Sequence, residues 1–357
     1  MSRVERRIES VNRPSADRSG AMLDNCFPSE MSLLSANALC NYIAKEYFNS
    51  SSLQCRLYYR GLHDIYKVVA YNNEYFFKVY RQGIRRIEEI QDEIDLLNHL
   101  KASDIETTLP VVRCDGKFIS EFNTANGNRF GVLFTSVGNH GLSEVEETAE
   151  LNEQLGGYVA SIHRAWDSVN LGGNRWNLDA GLFIDRAMHA IREFSDIHVF
   201  DIGFLESIAK DLKSKLAILP VRKSQYGMCH GDIYSGNIRV GNDNSPILFD
   251  FDFCGTGWRA YDISMYAFPF GMGCDVTKLK KREERKHQFL NGYNKVRAMS
   301  DEEIESIALF VPFRRIFNLG MLYITFLPNT WGDIAVIRNV DEDVALLKKW
   351  FELNPIL

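Results

Sequence analysis

The strongest constraint on the fold is the stretch Cys229–Ser264, where three polar residues recur at telling intervals within apolar sequence. Asp232 follows a His-Gly pair, and Asn237 comes five positions later. Asp250 ends the apolar run Ile-Leu-Phe thirteen positions after Asn237. Asp and Asn are common turn residues, so a chance loop beside a core strand would contain them too. Three such residues at these spacings, next to a strand pattern, indicate a built site.

A hairpin would bring two of these side chains together. Residues 241–244 read Gly-Asn-Asp-Asn, which predicts a tight turn. We therefore expect two short antiparallel strands, at 238–240 and 247–251. This pairing would place Asn237 and Asp250 at the same end of the hairpin.

The residue types in this stretch predict phosphoryl transfer. A carboxylate beside an amide oxygen is a set of hard oxygen ligands that suits Mg²⁺. Asp232 would lie one loop away, where its carboxylate could accept a proton. Protein kinases place a base Asp, a metal Asn and a metal Asp in this order along the chain. Here Gly231 stands where they carry an Arg, and Phe251-Asp252 follows the second aspartate where they carry Phe-Gly.

The form His-Gly-Asp-x4-Asn, the apolar-Asp-Phe-Asp strand and the later run Tyr261-Asp262-Ile263 together resemble the aminoglycoside phosphotransferase and choline kinase family. The resemblance covers nearly the whole chain. It implies an α+β, bilobal protein-kinase-like fold, with a small antiparallel-sheet N-lobe and a larger helical C-lobe. We expect a flexible N-terminal tail at 1–30, a nucleotide-binding N-lobe at 31–137, and a C-lobe at 138–357 that carries the catalytic and acceptor sites.

The resemblance also implies the cofactors and the roles of the polar residues. ATP and Mg²⁺ would be the cofactors, with the metal held by Asn237 and Asp250 and also by Asp252. Asp232 would be the catalytic residue that orients and deprotonates an acceptor hydroxyl. Asp262 would brace the catalytic loop through buried hydrogen bonds.

Lys78 is the single charge in the aromatic run 75–80, Tyr-Phe-Phe-Lys-Val-Tyr. A solvent-facing lysine on an edge strand would give the same pattern. However, a helical pattern at 87–100 follows and carries Glu93, where the family's helix carries the partner of its nucleotide-binding lysine. We therefore expect an ion pair between Lys78 and Glu93 next to the nucleotide. Three nearby acids compete for this role: Glu88, Glu89 and Asp95.

Two further segments are expected to contact the nucleotide. Gly61 lies where kinases fold a loop over the phosphates, although a single glycine on its own is more typical of an ordinary turn. Thr135, Ser136 and Val137 belong to the run Phe-Thr-Ser-Val-Gly that leads out of the predicted sheet. This run resembles the hinge of the bacterial stress-response kinases, whose backbone groups pair with adenine. It would also serve as the linker between the lobes.

The acceptor is a hydroxyl group, and two classes of acceptor fit the pattern. The first is a small molecule such as an amino-alcohol, a sugar or an aminoglycoside-like antibiotic. The second is a protein, as for the Ser/Thr protein kinases of the bacterial stress-response type. The short run between Asp252 and Tyr261 leaves little room to dock a peptide, which favours the small molecule. For a cationic acceptor we expect acids on helices at 181–194 and 204–219 to face the cleft near Asp232.

Composition excludes several other classes of protein. The net charge of −6 and the pI near 5.8 argue against a nucleic-acid partner. No apolar run approaches the roughly 20 residues of a membrane span, so no membrane partner is expected. Residues 1–20 are polar and rich in Arg, unlike a signal peptide. The seven cysteines show no Cys-x-x-Cys pattern, which is typical of reduced thiols in a cytoplasmic protein.

Overall fold

The computed structural model describes residues 32–49, 53–125, 127–169, 173–195, 199–268, 275–326 and 328–354. The predicted flexible tail at 1–30 lies outside the described residues. The first described helix, α1 (Ala36–Phe48), begins after Ser35, whose hydroxyl accepts a hydrogen bond from the Ala38 amide. This contact satisfies one of the amide groups that a helix N-terminus leaves unpaired.

A five-stranded antiparallel sheet follows α1. Its strands are β1 (Gln54–Arg60), β2 (Asp64–Ala70), β3 (Asn73–Val79), β4 (Ser120–Thr124) and β5 (Gly127–Thr135). They lie side by side in the order β1-β2-β3-β5-β4, and helix α2 (Ile87–Ala102) connects β3 to the outer strand β4. Because side chains alternate between the faces of a strand, Tyr66 and Val68 of β2 reach the same apolar cluster as Leu39 and Ile43 of α1.

The sheet order decides the position of Lys78. Strand β3 is central, and Lys78 is paired with Ile65 on one side and Val132 on the other. The edge-strand alternative is therefore excluded. Lys78 is 5% exposed, so its charge lies inside the protein.

The rest of the chain is mainly helical. The helices are α3 (Ala149–Trp166), α4 (Ala187–Ser195), α5 (Ile202–Ile218), α6 (Arg259–Ala267), α7 (Leu279–Val296), α8 (Asp301–Ser306), α9 (Phe310–Phe317) and α10 (Pro328–Leu353). Helices α3 and α7 pack closely because Gly156 of α3 and Gly292 of α7 lie at their interface. A Cβ atom at Gly156 would lie 1.9 Å from the Phe289 carbonyl oxygen. The predicted α+β class, with an antiparallel sheet followed by a larger helical region, is confirmed.

Two small three-stranded sheets lie within the helical region. The first has the order β10-β9-β6 and the second the order β7-β11-β8. Their strands are β6 (His140–Gly141), β7 (Trp176–Leu178), β8 (Tyr226–Cys229), β9 (Ile238–Val240), β10 (Pro246–Leu248) and β11 (Gly255–Trp258). Among the described helices, none combines the length and the apolar character needed to cross a membrane.

One predicted element differs from the structure. The second hairpin strand ends at Leu248 rather than at residue 251, because Asp250 adopts a left-handed conformation and the 3₁₀ turn Phe251–Phe253 follows. Later in the chain, the 3₁₀ turn Ile307–Leu309 separates α8 from α9. Pro312 lies in the first turn of α9. Backbone amides there have no partner within the helix, so the missing amide hydrogen of proline costs no helical hydrogen bond.

Candidate functional site

The hairpin β9–β10 brings Asn237 next to Asp250, as the spacing predicts. Beyond the paired strands, the Phe249 amide donates to the Asn237 carbonyl oxygen at 3.1 Å. Asp250 has a φ of 60°, in the left-handed region that residues other than glycine adopt rarely. Backbone strain of this kind is concentrated at functional sites. The Asp250 side chain is 45% exposed, so its carboxylate remains accessible to a ligand.

Asp232 is held through both of its carboxylate oxygens. The Asn237 side-chain amide donates to Asp232 Oδ2 at 3.0 Å and to the Asp232 carbonyl oxygen at 3.0 Å. Arg314 Nη2 donates to Oδ1 at 2.6 Å. Burial raises the pKa of the Asp232 carboxyl above its ordinary 3.8, and the Arg314 charge opposes that rise. The Asn237 nitrogen points toward Asp232, so the amide oxygen points away from it.

Asp262 braces the catalytic loop, as predicted. Its two oxygens accept hydrogen bonds from the backbone amides of His230 at 2.6 Å and Gly231 at 2.8 Å. His163 Nε2 lies 2.9 Å from Asp262 Oδ2, so this buried histidine supports the brace. Gly231 has a φ of 83°, and a Cβ atom there would lie 2.1 Å from the Phe253 carbonyl oxygen. This close approach excludes the Arg that protein kinases carry at the position.

Lys78 joins the sheet to the hairpin. Its Nζ atom lies 3.4 Å from Glu93 Oε1 and 3.0 Å from Asp250 Oδ1. The Tyr80 hydroxyl donates to the second Glu93 oxygen at 3.0 Å. The ion pair that the sequence predicts between Lys78 and Glu93 is thus present. Two of the competing acids are engaged elsewhere, because Glu89 accepts from the Arg86 amide and Asp95 from the Gln91 side chain.

Asp252 lies in a buried ion cluster, and its contacts do not support the predicted role as a metal ligand. Arg85 donates to it in a bidentate fashion, from Nε to Oδ1 at 3.1 Å and from Nη2 to Oδ2 at 3.0 Å. His63 Nε2 lies 3.2 Å from Oδ1, and Lys78 Nζ lies 3.5 Å from it. Burial alone would raise the pKa of Asp252, but the charges of Arg85 and Lys78 hold it well below its usual range. The side chain is 2% exposed, which leaves Asp250 as the accessible carboxylate of the pair.

Two arginines that the sequence analysis missed fix helix α2 to the segment after the hairpin. The guanidinium carbon of Arg85 lies 3.9 Å from the centroid of the Trp176 ring, and its donors hold Asp252. Arg175 donates from Nη1 to the Glu89 carbonyl oxygen at 2.9 Å and from Nε to the Cys254 carbonyl oxygen at 2.9 Å. Both arginines lie outside the motif stretch, so residue spacing gave no signal for them.

The Gly61 loop is closed by its own contacts. The Gly61 amide donates to the His63 carbonyl oxygen at 3.1 Å, and Arg81 Nη2 donates to the Gly61 carbonyl oxygen at 2.7 Å. A Cβ atom at Gly61 would lie 2.5 Å from the Tyr59 ring. A larger residue would have to displace this exposed ring, and the Gly61 amide is already used in this arrangement.

The predicted hinge is only partly available to adenine. The Thr135 amide donates to the Leu109 carbonyl oxygen at 2.9 Å, and the Thr135 carbonyl oxygen accepts from Thr108 Oγ1 at 2.8 Å. The Ser136 amide donates to the Glu74 carbonyl oxygen at 3.2 Å. Thr135 is therefore occupied on both sides. In the described part of the chain, Val137 and the Ser136 carbonyl oxygen take part in none of these backbone hydrogen bonds.

Several acids on or beside the two helices predicted to supply an acidic wall have partners within the protein. Asp185 pairs with Lys213 at 2.6 Å, and Glu206 pairs with Arg192 at 2.8 Å, both on exposed surface. The Asp179 carboxylate accepts a hydrogen bond from the Leu182 amide, and Asp201 accepts from the Phe204 amide and pairs with Lys348. Asp196 lies outside the described residues.

The side chains near Asp232 include a cation and an aromatic ring. Arg314 contacts the carboxylate directly, and Tyr234 follows it by two positions with 45% of its surface exposed. Burial, followed by the charges of Asp232 and Asp250, raises the pKa of the Tyr234 hydroxyl to about 12. This phenol therefore stays protonated and neutral at physiological pH beside the two aspartates.

Comparison with known proteins matches the sequence of this chain to phosphotransferases. The profile described as "Phosphotransferase enzyme family" matches residues 60–298. An uncharacterized protein of Synechocystis is 29% identical over 287 residues, which are 79% of this chain and 76% of the relative.

Two solved structures share the fold. The microcompartment-associated aminopropanol kinase aligns with a TM-score of 0.72 and 20% identity, over 89% of this chain and 98% of that one. The amicoumacin kinase hAmiN, solved in complex with AMP-PNP, Ca²⁺ and Ami, aligns with a TM-score of 0.70 and 18% identity, over 88% of this chain and 94% of that one.

Proposed function

Because this chain belongs to the phosphotransferase enzyme family, and is thereby an ATP-dependent kinase of small-molecule hydroxyl groups, we propose that Asp232 is its catalytic base and that Asn237 and Asp250 hold its metal. The observation that carries this assignment is one connected site. Lys78 contacts both Glu93 and Asp250, while Asn237 lies next to Asp250 and donates to Asp232. Each part of the phosphoryl-transfer machinery is thus within reach of the next.

The nucleotide would bind between the sheet and the hairpin. Lys78 would contact the α- and β-phosphates, and Glu93 would keep the lysine side chain extended toward them. The Ser136 carbonyl oxygen and the Val137 backbone would pair with adenine. Gly61 would shape the loop over the phosphates through its packing rather than through its amide. This arrangement leaves residues 31–137 as the nucleotide-binding N-lobe and 138–357 as the C-lobe.

The oxygen ligands suit Mg²⁺. Asp250 offers an accessible carboxylate, and the amide oxygen of Asn237 points away from Asp232, so both can face one ion. Asp252 is bound by Arg85 and would stay outside the metal shell. When bound, the ion supplies charge neutralisation for the β- and γ-phosphates. Within the protein, Asp250 also anchors Lys78 in the absence of nucleotide.

The reaction needs few groups beyond these. The acceptor oxygen would form its bond to the γ-phosphorus while the bond to ADP breaks, and the hydroxyl proton would pass to Asp232. Catalysis of this kind rests on positioning and on charge stabilisation rather than on covalent chemistry with the protein. Asp232 is 12% exposed in its side chain, enough for a hydroxyl to approach from the cleft.

The acceptor that fits best is a compact amino-alcohol or sugar rather than a polycationic antibiotic. Asp185 and Glu206 are paired with Lys213 and Arg192, and Arg314 neutralises the charge of the base, so these residues offer no dense negative charge to an acceptor. A protein acceptor is disfavoured, because the run after Asp252 forms β11, which pairs with β7 and β8. That strand occupies the place where protein kinases carry a peptide-docking segment.

A screen of acceptors tests the proposal. Release of ADP from Mg·ATP would be measured with 1-amino-2-propanol, ethanolamine, homoserine, spectinomycin, kanamycin and a basic protein substrate. We expect turnover with a small hydroxyl compound and loss of that turnover in Asp232→Asn. Turnover only with the protein substrate would favour the protein-kinase alternative. Equal ADP release by Asp232→Asn and the wild type would contradict the role of Asp232.

A further inference from the structure

One buried cation contacts the proposed base and lies far from the motif stretch in the sequence. Arg314 sits on α9, and its side chain is 13% exposed. Its Nη2 atom donates to Asp232 Oδ1 at 2.6 Å. Asn237 holds the other oxygen of the same carboxylate, so the two donors fix the carboxylate from opposite sides.

The guanidinium group is itself held by contacts that do not depend on Asp232. Arg314 Nη1 lies 3.2 Å from the Tyr261 hydroxyl and 3.4 Å from the Gly231 carbonyl oxygen. The Tyr261 hydroxyl donates to the same carbonyl at 3.1 Å. The rings of Phe253 and Phe317 lie 5.3 Å from the guanidinium carbon. Arg314 is therefore a preorganised support, oriented before any substrate binds.

The next residue on the helix, Arg315, has a different partner. Arg315 also forms a buried ion pair, but with Asp343 of α10 at 2.6 Å. Successive residues of a helix point about 100° apart, so Arg314 and Arg315 serve different faces of α9. Arg315 thus stabilises helix packing, and Arg314 reaches the catalytic loop.

We infer that Arg314 is a positioning residue for phosphoryl transfer, which holds the Asp232 carboxylate in the orientation that receives the acceptor hydroxyl. This inference rests on the proposed role of Asp232. A carboxylate tied only to Asn237 could rotate, and misplacement of a reacting group by about 1 Å can lower a rate about 100-fold. Lysine would supply one donor to Oδ1 but would not reproduce the planar contacts to Gly231 and Tyr261.

The test compares Arg314→Gln and Arg314→Lys with the matched control Arg315→Gln. ADP release from Mg·ATP would be followed with 1-amino-2-propanol and with water as acceptors, and ATP affinity by calorimetry. We expect Arg314→Gln to lower kcat about 100-fold while the Kd for Mg·ATP stays within about twofold. The kcat of Arg314→Lys should reach about a tenth of the wild-type value or more. Arg315→Gln should lower Tm but leave kcat per folded molecule unchanged.

The outcomes separate this inference from the proposed function. If Asp232→Asn loses activity and folded Arg314→Gln keeps it, the positioning role is wrong and the base assignment stands. If Asp232→Asn retains full activity, or the wild type releases no ADP with any small hydroxyl compound of the acceptor screen, the proposed function itself fails. If Arg314→Gln does not fold, Tyr261→Phe replaces it, with an expected loss of about fivefold in kcat. An unchanged kcat in Tyr261→Phe would then overturn the inference.

Discussion

Replacement of Lys78 by Met should separate the nucleotide contact from the stability of the fold. Lys78 Nζ lies near three carboxylates, at 3.4 Å from Glu93, 3.0 Å from Asp250 and 3.5 Å from Asp252. After the substitution Asp252 keeps Arg85, and Asp250 is exposed enough to be hydrated. Glu93 keeps the hydrogen bond from the Tyr80 hydroxyl but loses its lysine partner. Breaking a buried pair costs about 3–5 kcal/mol, and we expect a value near the lower limit because one carboxylate, not three, loses its compensation.

The effect on ATP use has a different origin. Loss of a charge-assisted hydrogen bond costs about 1.5–3 kcal/mol, which corresponds to a decrease of about 10- to 150-fold in kcat/KM for ATP. In the double variant Lys78→Met/Glu93→Gln the buried charge of Glu93 is removed as well. We expect this variant to recover most of the lost stability, because no uncompensated carboxylate remains, but none of the lost kcat/KM.

The assay pairs urea denaturation with steady-state kinetics on the same preparations. Lys67→Met on the neighbouring strand is the matched control, because Lys67 pairs with Glu74 on the partly exposed face of β2. Such surface pairs contribute about 0–1 kcal/mol, and we expect no change in ATP kinetics. The reasoning would be refuted if the double variant regained both stability and kcat/KM, since Lys78 would then act through Glu93 alone.

Two other predictions follow from the buried charges. Asp252→Asn should lower the free energy of unfolding, because Arg85 would lose its charged partner. The same variant should keep the Mg²⁺ dependence of ATP affinity. If calorimetry shows that this dependence is lost, Asp252 is a metal ligand. Burial lowers the pKa of His63 and His163 below the ordinary 6.5, so below pH 6.5 the unfolded chain binds more protons than the native one. The two histidines should therefore cause no loss of stability above pH 6.5. On acidification below that pH, the free energy of unfolding should decrease by up to about 1.4 kcal/mol per pH unit for each histidine. His163→Gln should show a shallower slope in denaturation series from pH 7.5 to 5.5, and an unchanged slope would contradict the assignment.

The parts of the site that lie close together in the sequence could be predicted, because local spacing determines their geometry. A turn between two short strands is enough to bring Asn237 to Asp250, and the structure shows this arrangement. The pairing of Lys78 with Glu93 spans a strand and a helix, and it followed from their spacing together with the family resemblance. Asp262 reaches the loop amides, as the family resemblance implied.

The contacts that could not be predicted join distant segments. Arg314 reaches Asp232 across 82 residues, and Arg85 reaches Asp252 across 167. Neither arginine belongs to a periodic pattern, so only the three-dimensional packing shows their partners. The Arg85 contact to both oxygens of Asp252 was likewise not visible in the sequence, where adjacency to Asp250 suggested a second metal ligand.

The backbone groups of the loops were also beyond sequence reasoning. Thr135 lies in a hinge-like run, but a crossing segment at 108–109 takes up its amide and carbonyl groups. Gly61 occupies the position of a phosphate loop, but its amide and carbonyl groups already form hydrogen bonds with His63 and Arg81. In both cases the residue types predicted where the nucleotide would bind. They did not show which backbone groups were still free to bind it.

The central claim is the division of labour between Asp232 and Asp250, and calorimetric titration with ATP, with and without Mg²⁺, tests it most directly. Asp232→Asn keeps its size and its contact with Asn237 but loses the proton acceptor. It should bind Mg·ATP with near-normal affinity while kcat falls by about 10²- to 10⁴-fold. Asp250→Asn should lose most of the increase in ATP affinity that Mg²⁺ confers on the wild type, because the metal would lose its carboxylate. If Asp232→Asn loses metal-dependent binding and Asp250→Asn keeps it, the two roles are reversed and the account is contradicted.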